Sequence, residues 1–357
     1  MIRRHLSRVL LVVALLGARQ TAFAQDADAS APASTSPRWN VEVHAGISSP
    51  QNQSNGSGAL PTTGTLLQGE ISASTFYFGD GASLFNANQR TIAGAQSAVI
   101  VPLDGALLGA MTTRKPGPAF GVRLERAIKE RFAVQANGDL ALDHLEYTPE
   151  ALSAIETTRT SYIPALQRAL SASPLTSSVT SVSSLTDRQR VTQLFATGAF
   201  VVKLKTSGKT IPYVDGGGGV VLNGGNTPQA SLVGNYTLNN PAQLLGTDTV
   251  AITFSQENWT EVGLFGGGFT HDVTSKWGIR VDAREYLFKN TGQTDIAVTP
   301  TLGFQSTGQP FPLVNAGSLK FATTAPLSGA PVAASPTFTS SGLQGHLIVS
   351  AGFFLRF

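Results

Sequence analysis

Nine charged residues stand where a strand would turn them all to one side. Glu42, Glu125, Asp139, Asp143 and Asp282 offer carboxylates, and Arg123, Arg280, Arg284 and Arg356 offer guanidinium groups. Their chain neighbours are apolar: Val41 and Val43 flank Glu42, Val122 and Leu124 flank Arg123, and Ile279, Val281 and Ala283 bracket Arg280 and Asp282. Charges of both signs gathered on one face among apolar residues must pair, because a lone buried charge is strongly unfavourable. Two chemistries follow: an internal ion-pair network that fills a core, or the polar lining of a narrow pore. Catalysis is a weaker reading. His346 and Ser350 share a face, but four strand residues place them roughly 13 Å apart, too far for a nucleophile and its base. There is no GxSxG elbow, HExxH pair or phosphate-binding loop. His44 and His346 fall on neighbouring strands, whereas a metal site needs three or four converging ligands. The absence of cysteine removes thiolate chemistry and disulfides. No catalytic residue, cofactor or metal is therefore expected.

The elements that carry these charges repeat with period two. Trp39-Val41-Val43-Ala45-Ile47, Phe120-Val122-Leu124, Phe132-Val134-Ala136 and Trp277-Ile279-Val281-Ala283 each alternate with polar, charged or small residues, and Leu347-Val349-Ala351-Phe353-Leu355-Phe357 alternates with positions that include Ser350, Gly352 and Arg356. Such alternation marks strands with one apolar face. Three further strands are read at about 190–204, 210–222 and 258–271, rich in Val and Phe and carrying the glycine runs 216–219 and 266–268. Eight strands result, with lopsided spacing. Short turns fall at 128–130, 206–209 and 272–276, and long connections at about 48–116, 147–189, 223–257 and 291–342. Loops of that length argue against a compact soluble domain. They suit a transmembrane antiparallel β-barrel with short periplasmic turns and long extracellular loops. Trp39, Phe132, Trp277 and Phe357 all fall at the turn end, as an aromatic girdle would; Tyr147, Trp259 and Tyr286–Phe288 fall at the other rim. A soluble β-sandwich is the alternative, but it would not place long loops strictly at alternate connections.

The composition agrees. Hydrophobic residues make up 41% and charged residues only 13%, against about 25% charged in a soluble domain, yet no apolar run reaches the roughly 18 residues of a membrane helix. Residues 1–24 read as a cleaved signal peptide: Arg3, Arg4 and Arg8 precede the apolar run Val9–Ala18, and Ala22-Phe23-Ala24 makes a small-x-small site. Residues 25–37 read as a flexible linker and 38–357 as the barrel. Removal of 1–24 takes Arg3, Arg4, Arg8 and Arg19 and no acid, so a formal charge of +3 becomes −1. The basic balance belongs to export, and nucleic acid is not an expected partner. Within the loops, Ser74–Gly81 could add a β-ribbon or a ninth and tenth strand. Thr148-Pro149-Glu150 starts a helix, and Pro164 restarts a second short one through Leu166 and Leu170.

The segment Phe269-Thr-His-Asp-Val-Thr-Ser-Lys-Trp-Gly-Ile-Arg-Val-Asp-Ala-Arg284 resembles a recurring hairpin of OmpA/OmpW-like outer-membrane barrels, in which a glycine-rich strand turns through a polar loop into Trp-Gly and returns with inward charges. The terminal Phe357 resembles the signal read by the outer-membrane assembly machinery. The resemblance implies an eight-stranded barrel in a Gram-negative-type outer membrane, with lipid and the assembly machinery as partners; a monomer is expected, whose loops either meet an extracellular ligand or simply vary and shield the surface. Unlike in the OmpA type, no peptidoglycan-binding domain is expected after the barrel. An eight-stranded interior is just wide enough to be filled by side chains. The expected role is therefore structural or surface-interacting, with a charge-filled lumen. A narrow channel for small or apolar solutes, as in the OmpW type, is the alternative, and a lipid-modifying barrel enzyme the weaker one.

Overall fold

The computed structural model describes residues 39–51, 86, 99–103, 111–171, 176–240, 242–301 and 337–357. The expected signal peptide 1–24, the linker 25–37 and the Ser74–Gly81 ribbon lie outside the described residues.

Alternation becomes a closed ring. Its eight strands are β1 (Trp39–Pro50), β3 (Gly117–Lys129), β4 (Phe132–Tyr147), β6 (Gln189–Lys203), β7 (Thr210–Gly225), β10 (Trp259–Asp272), β11 (Trp277–Thr301) and β12 (Thr337–Arg356). Each is antiparallel to its ring neighbours, in the order β10-β7-β6-β4-β3-β1-β12-β11, and β11 pairs back to β10. The first and last ring strands close on each other: Trp39 N–H donates to Phe357 O and Phe357 N–H to Trp39 O, both at 3.0 Å. Closure leaves the ring without a free edge, the condition for a sheet to sit in lipid. Ring strands of 12 to 16 residues, such as β1 and β4, exceed the roughly 9–11 residues needed to cross a bilayer.

The two faces have opposite character. Outward stand Val43, Ile47, Val122, Phe120, Phe200, Ile279 and Phe353, all exposed. Inward stand Glu42, Arg123, Glu125, Asp139, Arg280 and Asp282, all buried. A soluble protein inverts this arrangement; a barrel bathed in hydrocarbon requires it. Close strand coiling relies on small residues at two inward sites. A Cβ at Gly217 or Gly219 would fall on the carbonyl oxygen of Gly198 or Ala196 of β6.

Within the long connections the structure differs from the expectation of loops. β5 (Thr176–Thr186), β8 (Gln229–Asn240) and β9 (Ala242–Gln256) are strands, and β11 and β12 run on together beyond the ring, pairing as far as Asp295 with Thr337. β9 pairs the outer half of β11 from Gly292 to Thr301, β8 pairs β9, and β5 pairs β8. A five-stranded sheet, β12-β11-β9-β8-β5, thus rises from one side of the barrel. The helix α1 (Pro149–Ser171) packs against β5 and runs as one helix through Pro164 rather than as two. Its buried face is Ala151, Ile155, Thr158, Tyr162 and Ala165, a helical spacing. Arg159 ties it to the sheet by donating to Ser181 O at 2.8 Å. The same guanidinium, bonded to Glu156, holds that exposed carboxyl below its ordinary range. The short β2 (Thr112–Lys115) extends the wall beside the outer end of β4.

Candidate functional site

The lumen is built in layers, and register decides which residues meet. On neighbouring strands Glu42 lies opposite Arg123, and Glu125 opposite Gln135. Arg123 Nη1 reaches Glu42 at 3.0 Å and Asp282 at 2.7 Å, and its Nε donates to Asn137 at 3.0 Å. From β11, Arg280 Nε reaches Glu42 at 3.1 Å and Nη2 reaches Glu125 at 2.5 Å. Its guanidinium also lies 5.2 Å from the Tyr213 ring. Arg284 contacts Asp215 at 2.8 Å and Asp282 at 3.8 Å. Asp282 further accepts hydrogen bonds from Tyr213 Oη and Ser350 Oγ, each 2.8 Å. Three arginines and four carboxylates form one connected layer, each side chain at most 3% exposed. Such pairs contribute little net stability, because desolvation offsets attraction, but each partner is strongly needed once the others are buried.

Above this layer His44 bridges two acids, with Nε2 2.6 Å from Asp139 and Nδ1 3.4 Å from Glu42. Tyr286 Oη donates to Asp139 at 2.7 Å, and its ring stacks on Phe195 at 4.3 Å. There the polar filling gives way to an apolar belt of Phe195, Val221, Val262, Leu264, Phe288 and Ile348, all buried. Beyond the belt, Asp143 accepts from Ser48 Oγ and lies 3.6 Å from Arg114. His346, edge-on to Phe195 at 5.0 Å, stands 4.0 Å from the same carboxylate. Arg114 Nη2 donates to Gln256 of β9 at 2.9 Å, and Tyr147 Oη donates to Ile252 O at 3.2 Å, so the cap sheet is anchored in the mouth of the barrel.

Of the nine charged residues picked from sequence, Glu42, Arg123, Glu125, Arg280, Asp282 and Arg284 meet in the ion layer, and Asp139 joins it through His44. Asp143 lies apart, beyond the apolar belt. Arg356 sits at the turn-end rim, bound to Asp272 at 3.0 and 3.1 Å. Asp215 and Tyr213 belong to the layer but were not singled out. They share a parity with Gly217 and Gly219, but the glycine run gives that strand no apolar face to tell inward from outward. Trp39, Phe132, Trp277 and Phe357 stand at the turn end, where Phe132 stacks on Phe200 at 5.6 Å and Trp277 lies 5.3 Å from Phe353. Of the aromatics expected at the other rim, Trp259 is exposed, whereas Tyr147, Tyr286 and Phe288 point inward and are buried, not part of a girdle. Tyr286 and Phe288 share the parity of Arg280 and Arg284, which fixes their direction.

The pairing is irregular at one seam among the described residues, where Glu257 N–H to Thr291 O at 3.3 Å and Thr260 Oγ1 to Lys289 O at 3.0 Å bridge the step from β9 to β10. β11 pairs β10 as far as Phe288 and takes up β9 from Gly292. A cavity of about 890 Å³ opens at this exchange, lined by Trp259, Val262, Leu287, Phe288, Lys289 and Leu343 among others. Among the described residues, no group of three or more His, Asp or Glu side chains is placed to hold a metal.

No protein-family model and no curated protein sequence matches the chain. Among solved structures it is similar to the outer membrane protein OprG from Pseudomonas aeruginosa, at 10% identity over 89% of this chain and 95% of that one, with a TM-score of 0.35. It is also similar to a P. aeruginosa FadL homologue, at 9% identity over 89% of each chain with a TM-score of 0.16. With the P. putida toluene transporter TodX it shares 7% identity over 91% of each chain, with a TM-score of 0.16. These superpositions are loose, and the barrel is read from the closed ring and its inverted polarity.

Proposed function

We propose that the protein is a non-conducting outer-membrane barrel that holds a folded β-sheet and helix at the outer surface as a platform for interaction. Residues 1–24 direct export, the short turns face the periplasm, and the cap faces outward. The observation that carries this reading is the double seal of the lumen, an ion layer beneath an apolar belt. Ion passage would have to break the contacts of Arg123 and Arg280 and then dehydrate the ion beside Phe195 and Phe288. A non-enzymatic role fits the same packing, since Ser350 Oγ is committed to Asp282 and His346 lies against Phe195. Planar-bilayer recording of the refolded protein tests the proposal. A silent bilayer containing verified inserted protein is expected, and discrete, reproducible conductance steps would overturn it.

The cavity at this irregular seam favours a second reading, in which an apolar solute passes sideways. The cavity brings exposed Trp259 and Leu343 beside buried Val262 and Phe288, with Glu257, Glu261 and Lys289 also in its lining. A fluorescent apolar probe such as 1-aminonaphthalene should then bind and lose affinity in Leu343→Lys. No binding, with the barrel intact, removes this reading.

A further inference from the structure

The turn end of the barrel carries a charge pattern that neither the lumen nor the cap uses. Its three hairpins repeat one arrangement: an exposed aliphatic residue at the strand end followed within three positions by an exposed lysine. Ile128 precedes Lys129, Leu204 precedes Lys205, and Val273 precedes Lys276. Arg131 and Lys209 add exposed cations to the first two hairpins. Only two acids lie among these turns. Glu130 sits between Lys129 and Arg131, while Asp272 is engaged by Arg356 at 3.0 and 3.1 Å. Among the described residues of the loop end, by contrast, Lys115 pairs with Glu146 at 3.1 Å and Arg159 with Glu156.

We propose that this turn-end collar binds the phosphate groups of anionic phospholipids in the adjoining leaflet. The aliphatic residues continue the outward apolar face and sit in acyl chains. Each lysine stem then runs along that apolar surface and delivers its ammonium to the depth at which phosphates lie. Trp39 and Trp277 occupy the same rim, with the Arg126 guanidinium 5.2 Å from the Trp39 ring. A lipid is the fitting partner because the cations are spread over three hairpins around the ring, each beside an apolar anchor. A soluble acidic macromolecule would call for one contiguous basic patch.

Tryptophan position makes the test local. The chain has three tryptophans, so Trp259→Phe leaves only Trp39 and Trp277 as turn-end reporters, and Trp39→Phe with Trp277→Phe leaves only Trp259. Each variant is refolded into phosphatidylcholine vesicles containing brominated phosphatidylglycerol or, in parallel, brominated phosphatidylcholine. Turn-end fluorescence should show about a fivefold preference for the anionic lipid, the effect of one well-placed cation. The preference should fall towards unity in 0.5 M NaCl, and Trp259 should show none. Replacing Lys129, Arg131, Lys205, Lys209 and Lys276 by Gln should abolish it while brominated phosphatidylcholine still quenches, proving insertion. Equal quenching by both lipids at the turn end overturns the proposal. So does a preference that survives the five substitutions. Equal quenching together with retention of the protein on soluble polyglutamate would assign the collar to an acidic macromolecule instead.

Discussion

Arg123 is 2% exposed and sits between Glu42 and Asp282. Arg123→Met would leave both carboxylates buried without that cation, and the expected loss is about 3–5 kcal/mol. Tyr213→Phe removes a single hydrogen bond to Asp282 and should cost about 1.5–3 kcal/mol. Urea titration of the refolded barrel ranks the two. A smaller loss in Arg123→Met than in Tyr213→Phe would mean that the arginine does not hold the layer together. Much of this layer was legible in the sequence, because inward charges on β1, β3, β4 and β11 alternate cleanly with branched apolar residues. Asp215 was not, since the glycines after it show no apolar face by which to orient the strand. Arg356 has the inward parity, but it stands one residue from the chain end, where the barrel opens to water and Asp272 captures it.

At the level of elements, the ring strands and the cap strands differ in why they form. A ring strand faces hydrocarbon on one side, so Val, Leu and Phe recur at every second position and declare it. A cap strand such as β5, Thr176-Ser-Ser-Val-Thr-Ser-Val-Ser-Ser-Leu-Thr186, places its apolar residues three apart. Val179 is buried while Val182 and Leu185 are exposed, so no period of two survives to be read. Its partners are β8 and α1, contacts far apart in sequence that alternation does not encode. Two predictions separate the elements. Gly217→Val puts a branched side chain where the Gly198 carbonyl lies. The variant should fail to give the compact, fast-migrating barrel band on an unboiled gel. Arg159→Ala breaks the bond from α1 to Ser181 O. It should leave that band intact while cleavage within the helix by added protease becomes roughly tenfold faster, the effect of losing one charge-assisted hydrogen bond. Equal protease resistance would mean that apolar packing alone fastens the helix.

For the whole molecule, the governing fact is inverted polarity. Charge is sparse at 13%, and much of what the ring carries points inward, while the outward face is apolar on strand after strand. Heating in detergent should therefore shift the protein from a fast to a slow gel band, since the closed ring resists the detergent until it melts. The sharpest measurement uses the absence of cysteine in the chain. Single cysteines at the outward positions Ala45, Val122, Val349 and Phe353 would carry nitroxide labels, and the protein would be refolded into vesicles. Power-saturation spectroscopy then compares collisions with lipid-soluble oxygen and with a water-soluble nickel chelate. A membrane-spanning inside-out barrel requires high oxygen and low nickel accessibility at all four sites. Nickel accessibility equal to that of a label on the cap would contradict it and make these strands the surface of a water-soluble sheet.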